Sequence, residues 1–101
     1  MDPFKPYQPR PKTASSKLTV VDAEMVALKA VAWIAADDDV LSRFVSLTGC
    51  DADDLRSRIS EHAFLGAILD FLLGDDSLVI AFTEREGMTP ETPMLARVKL
   101  P

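Results

Sequence analysis

Apolar residues along most of this chain recur every three or four positions, which is the spacing of one face of an α-helix. Each apolar stretch follows a residue whose side chain can accept hydrogen bonds from the free N–H groups of a first helical turn. These predicted N-caps are Asp22, Asp37, Asp51, Ser60, Asp75 and Thr89. Since no stretch alternates with the two-residue period of a strand, we predict an all-α fold, a compact bundle of five to six helices.

The first predicted helix, "AEMVALKAVAWIAA", contains few polar residues, so its buried face has to be chosen from spacing alone. Met25, Leu28 and Ala32 share one face at intervals of three and four, with Val31 and Ala35 beside it. We predict that this face packs against the rest of the bundle.

Glycines follow the last apolar position of several predicted helices, at Gly49, Gly74 and Gly87. The residue after a helix often takes a left-handed conformation, which glycine adopts without steric cost. We predict this conformation for Gly49, and we expect Gly74 and Gly87 to close their helices. Cys50 should then turn back onto the preceding helix as a small buried hydrophobe.

The chain is similar to itself at an offset of 38 residues, where "WIAADDDVLSRFVSLTG" (33–49) aligns with "FLLGDDSLVIAFTEREG" (71–87). The identical positions pair Asp37, Asp38, Phe44 and Gly49 with Asp75, Asp76, Phe82 and Gly87. This period is typical of helical repeats, whose units bury their apolar faces against each other. We predict two similar three-helix halves, and whether they arose by duplication stays open.

Residues 1–17 differ from the rest of the chain because they contain four prolines, four basic residues and few aliphatic ones. Such a segment can neither continue a helix nor bury enough apolar surface to pack. We predict a disordered, Pro-rich basic tail over residues 1–17 and a single helical domain over residues 18–98.

The charge of the chain is unevenly distributed, with +3 on residues 1–17 and −9 on residues 18–87. Nucleic-acid affinity comes mostly from basic side chains that displace counterions from phosphates. The segment "FVSLTGCDADDLRSRI" has the order of a helix-turn-helix, but its second helix would begin with aspartates facing the phosphates. We therefore expect a protein partner, and a nucleic-acid-binding regulator that uses the basic N-terminal arm is the alternative.

The acidic clusters and the single histidine do not form a recognisable reactive site. The spacing around Asp37 and Asp51 lacks the central glycine and the final glutamate of a calcium loop. His62 is the only histidine, which excludes a two-histidine metal site, and the chain has no glycine-rich phosphate loop. We predict that the protein is not an enzyme and has no catalytic, cofactor-binding or metal-binding residues, and that the aspartates act as helix caps.

The chain also lacks the features of a membrane or secreted protein. No run approaches the roughly 20 apolar residues of a membrane span, and the N-terminus has no apolar signal segment. Cys50 is the only cysteine, which fits a reducing compartment. We predict a cytoplasmic protein that does not cross a membrane.

Two long motifs, "WIAADDDVLSRFVSLTGCDADDLRSR" and "FLGAILDFLLGDDSLVIAF", resemble those of a family of short, all-helical bacterial proteins. That family is classed as domain of unknown function 3572 and is known chiefly from alphaproteobacteria. The matching positions are Trp33, Asp37, Phe44, Leu47, Gly49, Leu55, Arg56, Phe64, Leu65, Leu69, Asp70, Phe71, Leu72 and Phe82. The resemblance covers roughly residues 22–90 and implies a helical architecture but no site. Asp38 departs from the pattern, which often has proline there, and both residues suit a first helical turn.

Asp70 is unusual because it lies inside "AILDFLL", where a carboxylate is costly unless it is exposed or paired. We expect it to lie on an exposed stripe or to pair with an arginine such as Arg56 or Arg43. The alternative is that Asp70 and Arg56 belong to an interaction surface. With no catalytic motif, the predicted function is a small protein–protein interaction or adaptor module with apolar surface exposed between its halves.

Overall fold

Six helices make up nearly all of the chain that the structure covers, which in this computed structural model is residues 18–100. They are α1 (Val20–Ala36), α2 (Asp38–Thr48), α3 (Ala52–Ser57), α4 (His62–Leu73), α5 (Asp76–Glu86) and α6 (Thr92–Lys99). No strand occurs within those residues, so the predicted all-α bundle is confirmed. Leu100 is buried, and the core therefore continues past residue 98, where we placed the end of the domain. The predicted tail, residues 1–17, lies outside the described part of the chain.

Three of the predicted N-caps lie where the sequence places them. Asp37 accepts hydrogen bonds from two N–H groups of α2, at 3.0 and 3.1 Å. Asp51 accepts one from the N–H of Asp54 at 3.0 Å, and the Asp54 carboxylate in turn accepts the N–H of Asp51. Asp75 accepts the N–H of Ser77 at 2.9 Å. These bonds satisfy N–H groups that would otherwise lack partners within the helix, and they fix where α2, α3 and α5 begin.

The prediction that Asp22 caps the first helix is wrong, because α1 begins at Val20 and its N-cap is Thr19. Asp22 is the third residue of the helix, and its carboxylate accepts the N–H of Thr19 at 3.1 Å while the Thr19 hydroxyl accepts the N–H of Asp22. This reciprocal pair is a capping box. Asp22 therefore stabilises the start of α1 from inside the helix.

Ser60 and Thr89 are not N-caps either, because a tight turn separates each of them from the helix that follows. The N–H of Glu61 donates to the carbonyl of Arg58 at 3.0 Å, which places Ser60 inside a turn and Glu61 at the cap position of α4. The N–H of Thr92 likewise donates to the carbonyl of Thr89 at 3.0 Å. The helix α6 consequently begins three residues after the predicted cap.

The glycines after α2 and α5 take the left-handed conformation, with φ of 75° at Gly49 and 71° at Gly87. Gly74, after α4, has φ of −75° and remains right-handed. Cys50 and Met88, which follow the two left-handed glycines, are both half-buried against the core. The predicted conformation of Gly49 is confirmed, and Cys50 packs on the core with part of its surface exposed.

The buried face of α1 differs from the predicted one. The residues of α1 that enter the core are Ala23, Val26, Ala27, Ala30, Val31 and Ile34. Val31 was expected there, and Leu28 packs against the core while partly buried. Met25, however, is 51% exposed, and Ala32 and Ala35 are also exposed. The reason is that α1 is apolar on almost every side, so several faces satisfy the helical spacing equally well.

The two longest helices, α1 and α4, pack against each other, and α6 packs against both. α2 and α3 contact α1, while α5 contacts α4. At the offset of 38 residues, the two central helices bury equivalent positions: Val26 and Phe64, Ala27 and Leu65, Ala30 and Ile68, Val31 and Leu69, Ile34 and Leu72. Since α4 carries the larger side chain in most of these pairs, the small residues of α1 allow the helices to approach closely.

Aromatic contacts cross between the two halves in a reciprocal way. Trp33 meets Phe82 edge to face, with ring centroids 5.7 Å apart, and Phe71 meets Phe44 in the same manner at 5.2 Å. Trp33 corresponds to Phe71 at the offset of 38, and Phe44 corresponds to Phe82. Each half therefore offers the other the same pair of positions, as the subunits of a symmetric dimer do.

Candidate functional site

The two residues proposed for an interaction surface, Asp70 and Arg56, pair with different partners. Asp70 is exposed on α4, and its Oδ1 accepts a hydrogen bond from Nε of Arg97 at 2.9 Å. Arg56 pairs with Asp53 within α3. The expected pairing of Asp70 with Arg56 or Arg43 is therefore wrong, and the cation comes from α6.

The position of Arg97 depends on Gly66, which precedes Asp70 by one helical turn. A β-carbon at Gly66 would lie 3.2 Å from Cζ of Arg97 and 3.4 Å from its Nη1. The missing side chain leaves room for the guanidinium to cross α4 and reach the carboxylate. Gly66 is thus a packing residue of the α4–α6 contact, and the Asp70–Arg97 pair is half-exposed and structural.

The aspartate that caps α5 joins it to α2. Nη2 of Arg43, on α2, lies 2.6 Å from Oδ2 of Asp75, and the hydroxyl of Ser77 donates to its Oδ1 at 2.6 Å. The Arg43 guanidinium and the Ser77 donors hold the pKa of the Asp75 carboxyl well below its usual range. Asp75 therefore stays ionised and acts both as a cap and as one half of an ion pair.

His62 lies in the first turn of α4, and its Nε2 contacts Oε2 of Glu24 on α1. Its side chain is 40% exposed, so the imidazole is only partly in contact with solvent. Within residues 18–100, no group of three or more histidine, cysteine or acidic side chains is close enough to hold a metal ion. The contact of His62 is thus a link between α1 and α4.

Arg58 occupies the connection between α3 and α4 and makes three kinds of contact. Its guanidinium lies over the ring of Phe64, 4.8 Å from the centroid, and its Nε donates to Glu61 at 3.1 Å. Its Nη1 is 3.8 Å from Sγ of Cys50. The Glu61 carboxylate raises the pKa of Arg58. The arrangement covers the half-buried thiol and secures the connection.

Two apolar grooves lie on either side of α6. The α1–α6 groove is lined by Leu18, Asp22, Met25, Val26, Lys29, Met88 and Thr92. The α5–α6 groove is lined by Leu73, Asp76, Val79, Ile80, Pro90, Glu91 and Met94. In each groove a methionine is about half exposed, 51% for Met25 and 53% for Met94. Both grooves therefore present apolar side chains that an apolar partner could contact.

A third cleft lies beside Trp33 and has a different character. Its charged lining residues are Lys29, Asp37, Arg85 and Glu86, with equal numbers of cations and anions. Balanced charge favours no particular ligand, and the exposed alanines of α1 supply the rest of its wall.

The sequence predicts exposed apolar surface between the halves, and the α1–α6 groove lies there. The α5–α6 groove was not predicted. Ile80 and Met94 come from different helices and meet only in the folded chain. The sequence feature that could have indicated this groove is on α6, where Met94 and Val98 are four residues apart and therefore share a face. None of the helices in residues 18–100 is long and apolar enough to cross a bilayer.

Comparison with known proteins gives one match. A family model described as a protein of unknown function, DUF3572, matches residues 21–101. Neither the curated proteins nor the solved structures contain a match to the chain. The matched region includes all six helices apart from the first residue of α1, and it extends beyond the 22–90 range of the sequence motifs. The chain therefore belongs to the DUF3572 family.

Proposed function

We propose that this protein is a small, non-catalytic interaction module that binds another protein in the cytoplasm. The observation that carries the proposal is the position of α6 between two apolar grooves, each with a half-exposed methionine. Apolar side chains that are half exposed in a groove offer surface that a partner can cover. Methionine side chains are flexible and polarisable, which suits them to contacts with a partner.

The side chains that could act as general acids or bases are engaged in structural contacts, which supports a non-catalytic role. His62 contacts Glu24, and Asp75 pairs with Arg43. Asp37 and Asp51 are helix caps. A catalytic side chain has to be within reach of a substrate, and general acid–base groups usually face a cleft. His62 and Asp75 instead hold helices to one another, and Asp51 caps α3. Asp37 lines the cleft beside Trp33, but its carboxylate is engaged by two N–H groups of α2.

The charge of the described residues favours a protein partner over a nucleic acid. Residues 18–100 contain fifteen acidic and seven basic side chains. Phosphate binding requires the opposite balance. A nucleic-acid-binding role would therefore depend on the basic residues of the 1–17 segment, which lies outside the described part of the chain.

Two further features belong to the proposal. Cys50 is the only cysteine and is free, which agrees with a reducing cytoplasm. The equivalent buried positions of α1 and α4 and the reciprocal aromatic pairs support an origin by duplication of a three-helix unit.

The test is affinity capture of the tagged full-length chain from its native cells. We expect a protein that co-purifies with the wild type and with Leu47→Ser, which removes an even more exposed apolar side chain, on α2. The same protein should be lost with the double variant Met25→Glu, Met94→Glu. If the wild type captures nothing above background and remains an inert monomer, the proposal fails.

A further inference from the structure

The α5–α6 groove is an open cleft of about 350 Å³ with an apolar floor and half-exposed walls. Val79 and Leu73 form its deeper part, with Val79 only 8% exposed. Ile80 and Met94 stand on its sides, 48% and 53% exposed. A partner that covers these side chains would gain roughly 25 cal/mol of hydrophobic free energy for every Å² of apolar surface it buries.

The charges at this groove have one sign. Asp76, in the first turn of α5, and Glu91, just before α6, both line the groove and are exposed, and no cation lines it. The surrounding surface is acidic as well, since acidic side chains outnumber basic ones among residues 18–100. Complementary potentials steer and orient partners, so the fitting partner is basic around an apolar centre.

The shape of the groove selects a helical segment among the common modes of peptide recognition. Strand addition requires a free sheet edge, and residues 18–100 contain no strand. Polyproline ligands require an aromatic-lined groove, and no aromatic residue lines this one. Val98, 75% exposed and one turn after Met94, extends the apolar strip along α6. A ridge of side chains on a second helix fits such a strip.

We propose that the α5–α6 groove binds an amphipathic helix of a partner protein, with apolar residues on its central face and lysine or arginine along its edges. The apolar face of that helix packs on Ile80, Met94 and Val98. Its basic edges lie near Asp76 and Glu91. This proposal rests on the interaction function proposed above and names the surface and the chemistry of the partner.

The first experiment places the photo-crosslinking residue p-benzoylphenylalanine at Ile80, Met94, Met25 or Leu47 of the full-length chain in its native cells. Crosslinked peptides are then sequenced by mass spectrometry. We expect positions 80 and 94 to crosslink to a basic amphipathic segment of another protein, and position 47 not to do so. Folding of each variant is checked by circular dichroism.

Other crosslinking outcomes overturn the proposal in distinguishable ways. Crosslinks from positions 80 and 94 to residues 1–17 of the same chain, to a second copy or to nucleic acid would assign the groove to another occupant. Crosslinks to a protein from position 25 alone would place the partner on the other side of α6 and leave the proposed function intact. No crosslink at any position would contradict both proposals.

The second experiment measures binding of a synthetic peptide of the crosslinked segment by fluorescence anisotropy at low salt. The double variant Asp76→Lys, Glu91→Lys should weaken binding roughly tenfold. The matched control is Asp38→Lys, Asp53→Lys, which makes the same charge change at the positions 38 residues earlier, on α2 and α3. If the control weakens binding as much as the groove variant, the effect is one of overall charge and the proposed groove is wrong.

Discussion

Glu24 and His62 occupy equivalent positions in the two halves, 38 residues apart, and their side chains contact each other. In a twofold arrangement, only residues close to the axis meet their own counterparts. The Trp33–Phe82 and Phe71–Phe44 pairs lie away from that axis, and the twofold rotation would place one pair on the other. These three contacts thus follow an approximate twofold relation, whereas the packing of α6 on α1 has no counterpart of similar extent between α3 and α4.

This relation predicts that Glu24 and His62 can be exchanged. The single variant His62→Glu places two carboxylates against each other and should lower the free energy of unfolding by about 0.5–1 kcal/mol, since both side chains are a third or more exposed. The double variant Glu24→His, His62→Glu should restore the wild-type value, because the two positions face each other symmetrically. Urea denaturation at neutral pH checks this. A double variant as unstable as the single one would contradict the symmetric arrangement.

Asp75 should make stability depend on pH in the acidic range. Its pKa is lowered in the folded state by Arg43 and Ser77. In the unfolded chain, the pKa of an aspartate is about 3.9. The ionised carboxylate therefore stabilises the fold above about pH 4, and this contribution is lost as the pH falls below that value. Arg43→Gln should flatten the decline of stability between about pH 5 and pH 2. Arg56→Gln on α3 is the control and should keep the wild-type profile in urea titrations at several pH values.

The three inter-helix glycines should respond differently to alanine. Gly49→Ala and Gly87→Ala force a β-carbon into the left-handed region and should each cost about 1 kcal/mol of unfolding free energy. Gly74 is right-handed, and a β-carbon there would meet its nearest neighbours at 3.6 Å, an ordinary contact. Gly74→Ala should therefore be neutral or stabilising, as measured by thermal and urea unfolding. Equal losses at all three positions would show that packing, not backbone conformation, sets the effect.

The helix caps offer a test of the positions that the structure reassigns. Asp37→Ala removes two hydrogen bonds to the first turn of α2 and should cost about 1 kcal/mol. Ser60→Ala should change stability by less than about 0.5 kcal/mol, because Ser60 lies in a turn and does not cap α4. Chemical denaturation of both variants under one set of conditions decides the matter. A large loss for Ser60→Ala would return it to the cap position.

The sequence predicts helices best where several local signals coincide. α2 and α5 begin and end as predicted, since each is preceded by a capping aspartate and followed by a left-handed glycine. α1 is nearly uniform in its apolar character, and only the tertiary contact with α4 and α6 decides which face is buried. Ser60 and Thr89 have the chemistry of caps, but turns closed by backbone hydrogen bonds push their helices further along the chain.

The candidate site was less predictable because it is made by contacts between distant residues. The partner of Asp70 is Arg97, 27 residues away, whose guanidinium passes close to the backbone of Gly66. Ile80 and Met94 likewise form one groove only when α5 and α6 are folded. Local patterns identify such residues as exposed or apolar but do not tell which of them meet.

The turn from Arg58 to Glu61 connects α3 to α4 and so joins the two halves, whose aromatic contacts with each other use equivalent positions. If this turn straightened into a continuous segment, the first half of one molecule could pack on the second half of another through the contacts it now makes within its own chain. The native interface would be kept in full, and only the connection would differ. Such an exchange of halves would conserve the aromatic pairs and the Glu24–His62 contact, and the connection that would have to open is the turn between Arg58 and Glu61.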